Sequence, residues 1–325
     1  MRLRQQALNL WRSPQSIRAM HAEPIAAPDL VPTGGAARSM LLTALLAALL
    51  ACAGCAVAPP AQAREGVDVG KKSWAAGLVP ADQIEQAAAQ QYLQMEQKAA
   101  QQRALAPADN PQLVRLRAIA DRIIPYSYEW NDRARQWKWE VNLFGSKQVN
   151  AFCMPGGKIA FFYGILSELQ LTDAEVAMIM GHEAAHALLE HAREQMGKNV
   201  ITTNGLRLGA ALLGLGQIGD LGAQIGSQLL SLKFSRDDES EADALGLVMA
   251  AQAGYDPRAG VTLWQKMGAA GGGANASFLS THPSGPQRIK DIEAKLPRVQ
   301  PLYDAAPKPD RQFAPAPKLA AAPAR

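Results

Sequence analysis

The chain has 325 residues, 48% of them hydrophobic, and 33 Lys and Arg against 29 Asp and Glu give a formal charge of +4. That length carries one substantial domain with tails, and the hydrophobic share supports a real core. The charge is too small to point to nucleic acid, and no basic stripe or stacking motif accompanies it, so no nucleic-acid partner is expected.

Residues 1–39 hold Arg2, Arg4, Arg12, Arg18 and Arg38 without a hydrophobic period. Either translation begins downstream, for example at Met20, or the segment leads into a non-cleaved signal anchor. Met40 to Ala53 is an almost unbroken Leu/Ala run, short for a membrane span and suited to a secretory h-region. Cys52 follows Leu-Leu-Ala and Cys55 follows Cys-Ala-Gly. Either resembles the cleavage site of a bacterial lipoprotein, whose new terminal cysteine is lipidated. No aspartate follows either cysteine, which by analogy directs the protein to the outer membrane, facing the periplasm. Residues 1–55 thus read as an extension plus signal peptide, 56–80 as a Pro/Ala/Gly tether, and 81–109 as a Gln/Ala-rich helical arm. Three cysteines provide no disulfide framework, and packing is the expected role of Cys153.

The span 110–297 reads as the main domain. Asn110-Pro111 starts a helix with a cap and a proline at its first position, and Trp137 to Leu143 alternates as a strand does. Gln148 to Leu166 reads as a hairpin around Pro155-Gly156-Gly157. A free strand edge there would hold an extended peptide by main-chain hydrogen bonds, with little demand on its sequence.

Thr172-Asp173-Ala174-Glu175 is a capping box. Behind it Val176, Ile179, Met180, Ala184, Ala187 and Leu188 recur at helical spacing. No proline interrupts Asp173 to Met196, and Gly197 is a plausible stop. Inside this helix stands His182-Glu183-Ala184-Ala185-His186. Two histidines four apart lie nearly above one another and can reach one metal ion. H-E-x-x-H on a helix reads as zinc-peptidase chemistry, and a catalytic zinc takes three protein ligands and keeps one open position. His191 lies about 140° around the helix from His186, a poor ligand and a solvated or structural histidine instead.

Lys198 to Leu232 is rich in Gly, Ala and Leu, but Arg207, Gln217, Asp220 and Gln224 argue against a membrane span. Its glycines Gly205, Gly209, Gly222 and Gly226 suggest closely approaching helices or a mobile segment over the cleft. In the run that follows, Glu239 and Asp243 are four apart and share a helix face. Glu239 there can complete a two-His, one-Glu site while Asp243 orients a ligand imidazole. Asp237, Asp238 and Glu241 read as an ordinary acidic helix start. Gly254 ends that helix, Asp256-Pro257 opens the next, and Gly271-Gly272-Gly273 is a flexible loop before His282. Residues 298–325 form a Pro/Ala-rich tail, with no core pattern from Pro301 onward.

H-E-x-x-H followed by Glu239-x-x-Ala242-Asp243, with Phe234-Ser235-Arg236 before it, resembles the HtpX-type and CAAX-prenyl-endopeptidase family of zinc metallopeptidases. Its periplasmic lipoprotein and BepA-like members are nearest in character. Asn150-Ala151-Phe152, Pro155 to Ile159 and Tyr163 to Leu166 resemble the strand pair before their metal helix. Thr281-His282-Pro283 with Arg288-Ile289 resembles the segment closing their catalytic domain. The resemblance implies an α+β, mainly α-helical, zincin-like (gluzincin) domain with a small β-sheet beside the H-E-x-x-H helix. It implies one zinc per chain on His182, His186 and Glu239, with Glu183 as catalytic base. Water activated at the zinc would attack the scissile carbonyl while Glu183 takes its proton and passes it to the leaving amine. His282 and Arg288 are candidates to stabilise the oxyanion. Alternatively His282 binds the open metal position and holds the enzyme latent, as the likeness to BepA-like members suggests. The expected activity is a zinc metalloendopeptidase acting on misfolded or misassembled envelope polypeptides. The rival is a non-cleaving, chaperone-like binding module, for which Glu183 would be dispensable.

Overall fold

A computed structural model describes Val67, Val69 and residues 73–201, 228–270, 277–282 and 285–318. The leader with Cys52 and Cys55, most of the Lys198–Leu232 segment with its glycines, and the Gly271–Gly273 loop lie outside the described residues. No helix among the described residues is long and apolar enough to cross a membrane.

The chain opens with a 3-10 turn, Trp74–Leu78, and the arm helix α1, Ala81–Gln101. Helix α2, Pro111–Ser127, starts where Asn110 Oδ1 accepts from the Gln112 and Leu113 amides, which fills two of the donors a helix start leaves open. Three strands follow, β1 (Glu140–Phe144), β2 (Ala151–Met154) and β3 (Lys158–Phe162), in the spatial order β1-β3-β2. The β1–β3 pair is parallel, with Val141 opposite Ile159; β2 runs antiparallel to β3, with Cys153 opposite Ile159. The hairpin expected over Gln148 to Leu166 is present, but its second strand ends at Phe162 and helix α3, Tyr163–Leu169, begins at once. Gly156 and Gly157 make the turn with φ of 86° and 77°, a region open to glycine, and a Cβ on Gly157 would meet the Trp139 ring at 2.7 Å.

Helix α4, Asp173–Leu188, is the axis of the domain. Its capping box forms as expected, with Thr172 Oγ1 accepting from the Glu175 amide and Glu175 Oε2 accepting from the Thr172 amide. Every residue from Glu175 to Leu188 is buried, so the helix is enclosed on all sides rather than carrying one apolar stripe. Its neighbours are β2, α2, helix α6 (Arg236–Gln252) and helix α7 (Ala259–Ala269). The uninterrupted helix expected from Asp173 to Met196 is not what forms. The chain breaks at Leu189-Glu190, where Glu190 takes a φ of 63°, and restarts as α5, His191–Ile201. Gly197 sits inside α5 rather than ending it. A Cβ there would overlap the Ala75 carbonyl, so its need is close packing against the 3-10 turn.

Helices α4 and α6 cross at two glycines. A Cβ on Gly181 would lie 2.8 Å from Gly246 O, and one on Gly246 would lie 2.7 Å from His182 N. The short α8 (Ser277–Thr281) and the long α9 (Pro286–Ala305) complete the helices among the described residues. The arm α1 packs on the sheet through Ala88, Tyr92 and Ala99, with the Tyr92 hydroxyl donating to Ile159 O at 2.5 Å. The end of the chain differs from the expected tail. Residues 306–318 run over the domain as an ordered strap, with Ala316 fully buried. Gln112 and Gln170 donate to the Ala314 and Ala316 carbonyls, and the Phe313 amide donates to Asp173 Oδ2. An extended strap satisfied through its backbone needs no hydrophobic period, which is why the pattern did not reveal it.

Candidate metal centre

His182 and His186 project from α4, Glu239 and Asp243 from α6, His282 follows α8, and Arg288 lies in the first turn of α9; all are buried. The residues expected as ligands come together, and His282 stands with them. His182 Nε2 lies 3.2 Å from His186 Nε2, 3.3 Å from His282 Nδ1 and 3.5 Å from Glu239 Oε2. Glu239 Oε1 lies 3.6 Å from His186 Nε2 and 2.9 Å from His282 Nδ1. A tetrahedron of ligands at about 2.0–2.1 Å from zinc has edges of about 3.3–3.4 Å. The spacings around His182 lie near those edges, the whole set falls within 4.8 Å, and imidazole and carboxylate are ligand types zinc accepts, so these residues could hold the ion.

The surroundings hold His182, His186 and Glu239 in ligand form. His182 Nδ1 is 3.0 Å from Asp243 Oδ1, a carboxylate that can accept a proton from Nδ1 and leave the Nε2 lone pair to the centre. Burial, followed by His182 and His191, pushes His186 well below the ordinary histidine range and keeps it neutral. Glu239 is held below the usual carboxylate range, since the His282 hydrogen bond, His182 and Arg288 outweigh its burial. Asp243 is likewise pulled down to about 2, with Arg288 overcoming burial. His282 is raised because Glu183 and Glu239 outweigh the effect of burial. Aromatic faces fix two of the rings: Phe234 stacks on His186 at 4.0 Å, and Phe278 on His282 at 4.6 Å.

Glu183 is the exception to this pairing. Its Oε1 is buried without a hydrogen-bond partner, and His282 Nε2 stands 3.5 Å from it. Burial drives its pKa up against the pull of His282 and His182. A carboxylate of raised basicity with a free lone pair beside a metal centre is suited to accept a proton.

Arg288 does not stand where an oxyanion partner would. Its Nε donates to Asp243 Oδ2 and its Nη2 to Asp243 Oδ1, both at 2.7 Å, while Nη1 donates to Glu239 Oε2 at 2.5 Å. The guanidinium also lies 3.6 Å above the Trp264 ring and is not part of the cleft wall. It clamps the two α6 carboxylates from behind. His191 is buried rather than solvated, and its Nδ1 meets His186 Nδ1 at 3.0 Å. The acidic residues read as an ordinary helix start do more: Asp238 closes a capping box with Ser235, and Glu241 Oε2 lies 3.3 Å from His191 Nε2.

A cleft of about 360 Å³ opens onto the centre, walled by Phe152, Cys153, Glu183, His186, Phe234 and His282 among others. Strand β2 forms one wall, at the edge of the described sheet. Burial keeps the Cys153 thiol protonated, and Cys153 is not among the converging donors.

Several curated proteins are similar to this chain. Mitochondrial metalloendopeptidase OMA1 of Arabidopsis thaliana is 44% identical over 154 residues, 47% of this chain and 30% of that protein. The OMA1 of Schizosaccharomyces pombe is 37% identical over 200 residues, 60% of this chain and 56% of its own length. Metalloprotease LoiP of Escherichia coli is 29% identical over 196 residues, 59% of this chain and 73% of LoiP. The chain thus spans about a third to about half of the first two relatives. Residues 114–296, more than half of the sequence and the whole of the donor set, match Peptidase family M48, and the chain belongs to that family.

Proposed function

We propose that this chain is a zinc-dependent metalloendopeptidase of the bacterial envelope that cleaves misfolded or misassembled polypeptides. The observation that carries the reading is the set of four buried donors within 4.8 Å of one another, beside a Glu183 oxygen with no hydrogen-bond partner. His182, His186 and Glu239 would hold the zinc, which when bound supplies Lewis acidity toward water and the scissile carbonyl. Glu183 Oε1 takes the proton of the attacking water and returns it to the leaving amine. The edge of β2 aligns an extended substrate chain along the cleft. Arg288 keeps Glu239 and Asp243 ionised and in place. His282, grouped with the other three donors, is read as a latch that would occupy the open metal position.

The envelope location rests on the Met40–Ala53 run and on Cys52 or Cys55 as the lipidated residue. "Mitochondrial" belongs to the OMA1 names alone. The HtpX-type and CAAX-prenyl-endopeptidase assignment rests on the two metal motifs. The closed donor set also favours a second reading, a binding module that holds clients without cutting them. Casein degradation by the wild type, by Glu183→Gln and by chelator-treated protein tests the first. Cleavage by zinc-loaded wild type alone supports the peptidase. If neither the wild type nor His282→Ala cleaves with zinc present, the binding module replaces it.

A further inference from the structure

Sequence spacing on an unbroken helix would turn His191 away from His186 by about 140°. The fold brings it back. Glu190 adopts a left-handed φ of 63° at the end of α4, and α5 restarts with His191 facing inward. Several bonds hold this break. Asn131 Nδ2 donates to Leu188 O at 2.9 Å. Arg193 pairs with Glu190 and donates to the Ala76 and Val79 carbonyls. A non-glycine residue in this region costs of order 1 kcal/mol, so the surroundings enforce a conformation whose visible result is the His186–His191 contact.

That contact has one consistent proton arrangement. His186 Nε2 lies among the converging donors and needs its lone pair there, so its proton belongs on Nδ1. His191 Nδ1, at 3.0 Å, must then accept, which puts its own proton on Nε2. Nε2 faces Glu241 Oε2 at 3.3 Å, a carboxylate able to receive it. The chain of groups runs Glu241, His191, His186, metal centre, and each link dictates the next.

We propose that His191, backed by Glu241, is a positioning residue that fixes the tautomer and ring angle of His186, as Asp243 does for His182. The inference rests on the reading of this cluster as a zinc site. Loss of a ligand's hydrogen-bond partner lowers metal affinity ~10–100-fold. The measurement is zinc affinity of the full chain by competition with a chromogenic chelator, alongside the melting temperature of the metal-free protein. His191→Phe, which fills the space without an acceptor, should bind zinc ~10–100-fold more weakly while the metal-free protein melts as the wild type does. His191→Gln restores an acceptor and should recover most of the affinity, which a residue that only fills space would not do. Glu241→Leu should weaken binding to an intermediate degree, and it decides the matter if His191→Phe fails to fold. Wild-type affinity in folded His191→Phe, no recovery in His191→Gln, or, where His191→Phe does not fold, unchanged affinity in Glu241→Leu overturns the proposal. A wild type that does not bind zinc at all overturns the metal site itself, and is seen before any variant is made.

Discussion

Arg288 closes a two-bond fork on Asp243, Nε to Oδ2 and Nη2 to Oδ1 at 2.7 Å each, and spends its remaining arm on Glu239. One guanidinium thus binds both the carboxylate that orients His182 and the carboxylate in the donor set. Removing it leaves two buried carboxylates without their cation, a change that costs about 3–5 kcal/mol. Arg288→Ala should lose that much in urea unfolding of the metal-free protein. Arg288→Lys keeps the charge but not the planar fork, so it should fall between the two; equal stability of all three would remove the clamp from the account.

The α4–α6 crossing sets the distance between His182 and Glu239, and two glycines make it possible. Gly246→Ala would force a methyl to within 2.7 Å of the His182 amide. Overpacking of this kind costs about 1–3 kcal/mol, and here the displaced backbone carries a donor. The variant should unfold at lower denaturant and bind zinc more weakly. Gly268→Ala is the matched control, since nothing lies within 4 Å of its Cβ. It should be neutral or stabilising by up to about 1 kcal/mol.

The local parts of this site are legible in the sequence because their geometry is local. The four-residue spacings of His182 with His186 and of Glu239 with Asp243 survive folding, since each pair lies within one helix. So do the caps at Thr172 and Asn110. What the spacing misses depends on elements meeting. Arg288 read as a candidate oxyanion partner, and only the approach of α9 to α6 shows its donors engaged by Asp243 and Glu239. His191 was placed by extrapolating a straight helix, and the left-handed Glu190 breaks that extrapolation without a glycine or proline to announce it. Gly181 and Gly246 look unremarkable until the two backbones touch. The strap from 306 to 318 binds through carbonyls and amides that every residue possesses.

The arm helix carries a titration of its own. Glu96 is raised to about 7, first by burial and then by Glu140, and the Asn142 amide donates to both carboxylates. A folded pKa above the ordinary 4.5 means that this contribution is fully present below about pH 4.5 and is lost as pH rises through about 7. Glu140 is held low, with the Glu96 hydrogen bond and Lys158 overcoming its burial. Glu96→Gln keeps an acceptor for Asn142 and removes the titration. Melting temperatures from pH 4.5 to pH 8 should show the wild type losing ground to Glu96→Gln as pH rises. Parallel curves would place the titration elsewhere.

Glu239 and His282 sit at neighbouring corners of the donor set, 2.9 Å apart, yet the proposed roles separate them. A permanent ligand and a latch respond oppositely to removal. Glu239→Gln replaces an anionic donor by a neutral amide and leaves Arg288 with less charge to hold. It should lose zinc by more than the ~10–100-fold typical of a missing hydrogen-bond partner, with casein cleavage lost in step. His282→Ala leaves three ligands, the number a catalytic zinc uses, so it should keep zinc within severalfold and raise basal cleavage. Full zinc occupancy in Glu239→Gln would take Glu239 out of the ligand set. A fall in cleavage by zinc-loaded His282→Ala would make His282 a partner of the oxyanion rather than a latch, because only a group that favours the transition state slows the reaction when it is lost.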